Sequence, residues 1–178
     1  MMKRTSLAHL HCPVARSLEQ VGQWWNILIL RDAFYGLSRF DQFQESLGIA
    51  PSILTRRLND LVESGLLERQ AYNDAPPRFD YLLTAQGRDF RPVLLTLMDW
   101  GNKHLSPEGP ATQLVDGASG EVVELALIDS HTGQAISRRH KVVAGPTADE
   151  PMRRRFEKRR QLAALQHPDI APPFPANR

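Results

Sequence analysis

The chain has 178 residues, with 22 Lys plus Arg against 20 Asp plus Glu, a formal charge of +2 and 42% hydrophobic content. That suffices for one domain of about 100–150 residues with some surplus, and for a buried core. No apolar run approaches the roughly 18 residues of a membrane span, so no membrane partner is expected. The opening residues MMKRTSLAHLHCPVARS lack the apolar stretch of a secretory signal. The single cysteine, Cys12, excludes an intramolecular disulfide framework and fits a reducing cytoplasm.

Residues 13–20 (PVARSLEQ) predict a short helix with Pro13 in its first turn. QWWNILILRDAF follows. It is apolar almost all round, as a buried core helix requires, and Gly36 ends it. In SRFDQFQESLG, Ser38 suits an N-cap, Phe40, Phe43 and Leu47 share a helical face, and Gly48 closes the segment. A further helix runs from Pro51 to about Ser64 with Leu54, Leu58 and Leu61 on one stripe. LLERQAY and RFDYLLT then flank a turn-rich centre at 73–77, which reads as a hairpin. Phe79, Tyr81 and Leu83 alternate with their neighbours as a half-buried strand requires. Thr84 can cap one long helix from about Ala85 to His104. Its apolar residues cover more than one face, so it needs two partners.

Helix, helix, short turn at Gly48, Ile49 and Ala50, helix, hairpin is the order of a winged helix-turn-helix, whose second crossed helix can enter a major groove. That helix is 51–64. At 100° per residue, Ser52, Arg56 and Asn59 lie nearly opposite its leucines, with Thr55 between the faces. These are donor–acceptor groups near the N-terminal half, where base edges are read. Arg56 can pair with a guanine edge, whereas Ser52 and Thr55 more often meet phosphate or a thymine methyl. Arg39, together with Arg69 or Arg78 and the hairpin tip, would meet the DNA backbone or minor groove. The competing reading is an ordinary solvated helix face, since every amphipathic helix has one.

CPVARSL, W-x-ILILR with Trp25 and Arg31, G-x-x-RF at 36–40, LTRRL, SGLLER and PPRFDYLLTAQG form an ordered set. With them, residues 12–104 resemble the HxlR-type winged-helix transcriptional regulators. The resemblance implies a homodimer joined through the first and last helices of the domain, the last contributing Leu94, Leu97, Met98 and Trp100. It also implies a pseudo-palindromic operator on double-stranded DNA, with two recognition helices about one DNA turn apart. Two departures stand out. Trp24 precedes Trp25 where relatives often carry a small residue or Lys; the pair lines a small-molecule effector pocket, widens the dimer contact or adds to the core. Ala50 replaces the usual capping Ser, a loss of about 1 kcal/mol that Pro51 offsets in part.

Cys12 matches the position where some relatives sense oxidants or electrophiles. A thiolate at a helix start is stabilised by free amides; structural packing is the alternative. His9 and His11 beside Cys12 do not amount to a metal site. Beyond the domain, LVDGASGEVV at 114–123 is echoed by LIDSHTGQAI at 127–136. Both resemble zinc-ribbon knuckles, with Asp116, Ser119, Asp129 and Thr132 at the would-be cysteine positions. Without thiolates, no metal and no cofactor are expected, and the turns should be held by Asp side chains and glycines. Gly145-Pro146 and Glu150-Pro151 mark a linker, MRRRFEKRRQLAALQ a basic helix, and HPDIAPPFPANR a Pro-rich end.

The expected fold is mainly α with a β-hairpin wing, plus a small β-rich extension and a basic helix. The boundaries are an arm at 1–11, the winged helix-turn-helix at 12–105, the extension at 106–145, and linker, helix and tail at 146–178. Charge is uneven along the chain. Residues 1–133 carry 12 Lys/Arg and 16 Asp/Glu, a net −4, and 134–178 a net +6. Such a basic section suggests a polyanion contact or a solvated face. The expected function is a cytoplasmic, nucleoid-associated repressor released by a ligand or redox signal. The alternative is a winged-helix protein- or ligand-binding module that does not read DNA, which the acids Asp60, Glu63 and Glu68 near the reading helix favour. No Ser-His-Asp grouping, phosphate-cradling glycine loop or HExxH occurs, so an enzyme is not expected.

Overall fold

The computed structural model describes residues 6–7, 9–74 and 77–166, with the backbone alone at 74 and 163–166. Most of the arm at 1–5, the hairpin turn at 75–76 and the Pro-rich end at 167–178 lie outside the described residues. The elements run α1 (Pro13–Val21), α2 (Trp24–Phe34), α3 (Phe40–Leu47), α4 (Pro51–Glu63), β1 (Leu67–Asp74), β2 (Pro77–Leu83), α5 (Ala85–Arg88), α6 (Arg91–Leu105) and α7 (Glu150–Gln166). No helix among the described residues is long and apolar enough to cross a membrane.

The core forms where α2, α3, α4 and the base of the hairpin meet. Ile29 and Leu30 of α2, Phe43 of α3, Leu54, Leu58 and Leu61 of α4, and Leu66, Leu67 and Tyr81 of the hairpin are all buried. The helix that the sequence presents as apolar all round carries two buried polar residues instead. Asp32, 1% exposed, accepts hydrogen bonds from Arg31 Nε at 2.8 Å and Ser46 Oγ at 2.7 Å, which ties α2 to α3. Asn26 donates from Nδ2 to the Gln20 carbonyl at 2.8 Å, bracing α2 against the end of α1. The Asp32 carboxylate and the Asn26 amide nitrogen are tolerated inside because each meets a partner, whereas Asn26 Oδ1 is buried without one among the described residues. Trp24, by contrast, is 68% exposed, so it adds little to the core; its ring lies 5.1 Å from that of Trp25.

Ser38 is not the cap of α3. Arg39 takes that position, and the Gln42 side-chain oxygen accepts the backbone N–H groups of both Ser38 and Arg39 at 3.0 Å. The Ser38 hydroxyl is thereby free to donate to Asp80 on β2 at 2.7 Å, while its carbonyl accepts the Tyr81 N–H, also at 2.7 Å. The segment before α3 is thus stitched to the wing.

β1 and β2 pair antiparallel from Leu67–Leu83 to Asp74–Pro77, with an irregularity between Ala71 and Asn73 that leaves Tyr72 as the extra residue. The strands therefore reach further into the turn-rich centre than its composition suggests. Thr84 does cap the next helix, its hydroxyl oxygen accepting the Gly87 N–H at 3.0 Å while donating to the Gly65 carbonyl at 2.6 Å. However, the single long helix expected over 85–104 is two, α5 and α6, broken at Asp89 and Phe90. Pro92 is the physical reason: it lacks an N–H and its ring crowds the carbonyl four residues back, so it is accepted in the first turn of a new helix rather than inside a continuing one.

The extension contains two turns of one design. Asp116 accepts the N–H groups of Ala118 and Ser119 on Oδ1 at 2.9 and 2.8 Å, and a single bridge joins Val115 to Val122. Asp129 likewise accepts the His131 N–H at 3.0 Å and the Thr132 hydroxyl at 2.9 Å, with a bridge from Ile128 to Ala135. The Ser119 and His131 amides are the main causes that hold these carboxyls below the ordinary value of 3.8. Where a metal-bound thiolate would gather amides in a zinc knuckle, a carboxylate gathers them here. Among the described residues no three His, Cys, Asp or Glu side chains cluster as a metal site would need. Single bridges supply the β structure of the extension. It rests on α6, where Asn102 donates to the Thr112 carbonyl at 2.8 Å.

The tightest joint is at Gly87, which is buried against the carbonyl of Leu66. A Cβ there would stand 2.0 Å from that backbone oxygen. We expect Gly87→Ala to destabilise the domain by about 3 kcal/mol, because backbone must move to admit the methyl. Urea unfolding checks this, and an unchanged midpoint would mean that α5 can slide away from the wing at no cost.

Candidate nucleic-acid interface

The turn between α3 and α4 is built from three residues with separate tasks. Gly48 adopts φ 59°, a left-handed conformation that closes α3. Ile49 is buried beneath the turn. Ala50 opens α4 without any side-chain cap, and Pro51 follows in the first turn. The Ala50 carbonyl accepts the N–H groups of Ile53 and Leu54 at 3.0 Å.

Leu54, Leu58 and Leu61 are completely buried, which fixes the rotation of α4 about its axis. Ser52, Thr55, Arg56 and Asn59 are all exposed. They share the side turned from the core, as 100° spacing requires. The Thr55 hydroxyl donates back to the Pro51 carbonyl at 2.9 Å, so its methyl and a lone pair are what it offers outward. Ile53, also exposed, adds an apolar group beside them.

The second arginine of LTRRL behaves differently from the first. Arg57 is 6% exposed and meets the Asp60 carboxylate at 2.7 Å. The one local signal for this is the leucine periodicity, which places residue 57 between Leu54 and Leu61 on the inner side. The pair also changes the weight of the acids beside the reading helix. Asp60 is compensated and half-buried, and only Glu63 and Glu68 project free of the core.

On the wing, arginines and aromatic rings are paired. The Arg39 guanidinium lies over the Tyr72 ring at 4.6 Å from its centroid and 3.6 Å from the Asp80 carboxylate. The Arg69 guanidinium lies over Phe79 at 4.4 Å. Stacking on a ring holds a guanidinium in place while leaving its edge N–H groups available. Arg78, opposite Asn73 near the tip, is exposed. The structure thus brings Arg39 to the wing through Asp80 and Tyr72, and Tyr72 is a member of the arrangement that the sequence did not single out.

The remaining expected positions fall elsewhere. Cys12 is half-buried at the N-cap of α1, without a side-chain capping bond. Trp24 and Trp25 line neither the groove beneath the extension nor the one bordered by Gln20, Asn26 and Arg57. On α6, Leu94 packs against the core. Met98, with Leu95 and Asn102, borders a groove of about 300 Å³ beneath the extension, closed from the other side by Leu114, Val122 and Leu125. Val93, Leu97 and Trp100, the last 52% exposed, form a third and open face. Val14 and Leu18 of α1 are exposed as well.

Comparison with known proteins agrees with this architecture. Residues 20–109 match the model of the HxlR-like helix-turn-helix family. An HTH-type transcriptional regulator of Mycobacterium tuberculosis, itself uncharacterised, is 44% identical over 128 residues, covering 71% of this chain and 81% of its own. The structure of PA1374 from Pseudomonas aeruginosa, named as a candidate transcription factor, is 52% identical with a TM-score of 0.60, over 81% of this chain and 99% of that one. PA1607, named in the same way, is 37% identical with a TM-score of 0.71, over 79% and 99%. Both likenesses run past the winged helix into the extension. The chain belongs to the HxlR-like helix-turn-helix family of DNA-binding transcriptional regulators.

Proposed function

We propose that the chain is a homodimeric repressor that reads a pseudo-palindromic operator through the outer face of α4. The observation that carries this reading is the division of α4 into a fully buried leucine stripe and an outward set of Ser52, Thr55, Arg56 and Asn59. Arg56 reads a guanine edge, Asn59 a neighbouring base, and Ser52 and Thr55 the phosphate or a thymine methyl. Arg39, Arg69 and Arg78 position the wing on backbone or minor groove. Gel shift against the DNA upstream of the chain's own gene tests the reading; no shift with any sequence at low salt would favour a protein-binding module. Arg56→Ala should weaken specific binding by about 1–3 kcal/mol and relax sequence preference. An equal loss on every sequence would instead make Arg56 a phosphate contact.

The dimer is proposed to form through the open face of α6 and the exposed side of α1. Val93, Leu97 and Trp100 with Val14 and Leu18 leave more apolar surface than an isolated domain of this size needs. A two-fold contact along these helices places two copies of α4 on one side of the assembly, as a palindrome requires. Leu97→Glu should turn the dimer into monomer on sedimentation and cost operator binding, while the circular dichroism of the folded chain stays intact. A dimer that survives this change would move the interface elsewhere.

Release is proposed to follow a signal at the same contact, either a ligand at the Trp24–Trp25 pair or modification of Cys12. Cys12 begins α1, one of the two helices of the proposed interface. Two copies meeting across the two-fold axis would form an intersubunit disulfide under oxidation. Diamide treatment followed by a non-reducing gel should show a dimer band that Cys12→Ser abolishes. A monomer band throughout would leave Cys12 as a packing residue.

A further inference from the structure

We propose that α7 is a second, sequence-independent DNA contact, which grips the phosphates flanking the site that α4 reads. The inference rests on the DNA-reading function above and deepens it.

α7 carries Arg153, Arg154, Arg155, Lys158, Arg159 and Arg160 within two turns, and every one of them is exposed. Their arrangement around the axis is uneven. At 100° per residue, Arg154, Lys158, Arg155 and Arg159 fall within an arc of about 140° that contains no acid. Glu150 and Glu157 sit together on another side, near Arg153. Met152 and Phe156, the half-buried residues of the helix, make a seam one turn apart. Arg153 is held by its own linker, donating to the Ala148 carbonyl at 2.8 Å and the Pro146 carbonyl at 3.2 Å. Arg154 pairs with Glu150 at 2.8 Å. Arg155, Lys158 and Arg159 have no hydrogen bond or ion pair among the described residues. Three neighbouring cations therefore remain available on one face, spread over about 6 Å of helix.

Two arguments choose duplex DNA as the occupant. The first is charge. Residues 12–105 carry 10 Lys/Arg against 11 Asp/Glu, a net −1, so the winged helix-turn-helix does not itself supply the positive field on which phosphate binding depends, whereas α7, with 6 Lys/Arg against 2 Glu, carries a net +4. The second is the shape of the helix surface. An interfacial membrane helix needs a wide apolar face with Trp, Phe or Leu. Among its described side chains α7 offers only the narrow Met152–Phe156 seam, already half-covered, and Leu162. One phosphate per 3.4 Å along each strand matches three cations over this length.

The test uses the full chain with Arg155, Lys158 and Arg159 replaced together by Gln, which keeps helix propensity and length. Binding is measured from low to moderate salt on the upstream duplex and on a random-sequence duplex, beside the Arg56→Ala variant. The slope of log affinity against log salt should fall by about 2–3 per bound chain, equally on both duplexes, with the ratio between them kept. An unchanged slope on both would overturn the proposal, and so would retention on anionic vesicles that the triple variant alone abolishes. Should the parent chain show no preference for the upstream duplex over the random one, the DNA-reading function fails. The slope on the random duplex still decides the role of α7.

Discussion

The burial of Leu54, Leu58 and Leu61 is the constraint from which the rest follows. All three are fully enclosed by α2, α3 and the base of the wing. Each contributes roughly 1.5–3 kcal/mol by leaving water. Rolling α4 by one residue would forfeit several kcal/mol, more than one base contact is worth. The outer face of α4 is therefore set by packing before any DNA arrives, and Ser52, Arg56 and Asn59 are presented with little freedom of choice. The same burial explains why Arg57 turns inward beside an arginine that turns outward. The leucine stripe leaves it no other side, and Asp60 compensates the charge that this strands.

Polar pairs then fix the neighbouring pieces to that core. Asp32 binds Ser46 across two helices, and Asp80 binds Ser38 across the wing and the start of α3. These bonds join elements whose relative placement decides where Arg39 and Arg69 stand. Hydrophobic burial gives position to within a side chain. Paired polar groups are more exacting, above all at buried Asp32, because a buried carboxylate displaced from its hydroxyl would be left unsatisfied at a cost of about 1–3 kcal/mol.

What could be read from the sequence was what repeats locally. Glycines at 36 and 48 closed helices, the leucines at 54, 58 and 61 named the inner side of α4, and Thr84 announced a cap. The echo at 114 and 127 revealed two like turns, and the swap of thiolate for carboxylate foretold how they are held. The Ser38–Asp80 bond spans 42 positions and the Ser46–Asp32 bond 14, so no periodicity could have signalled either. Asn26 and Asp32 interrupt an otherwise apolar helix and look like its solvent edge until their partners are known. The break before α6 was a different kind of omission. Pro92 is plain in the sequence, but the apolar pattern that predicts the helix lies wholly after it, at 93–100, and does not say where the helix begins. The division of α6 into three faces was hidden because its partners are the core, the extension and open solvent, and its core partner α2 lies far away in sequence.

The break at Asp89 and Phe90 has a mechanical consequence. Thr84 and Gly87 fasten α5 to the foot of the wing, while α6 leaves that anchor as a rod of 15 residues, about 22 Å long. A tilt of about 5° at the elbow would carry the far end of the rod by about 2 Å. In the dimer proposed above, both rods lie against one another. Any event that bends this elbow is thus magnified into a change in the distance between the two reading heads, and a small strain becomes a mismatch with the pitch of the double helix.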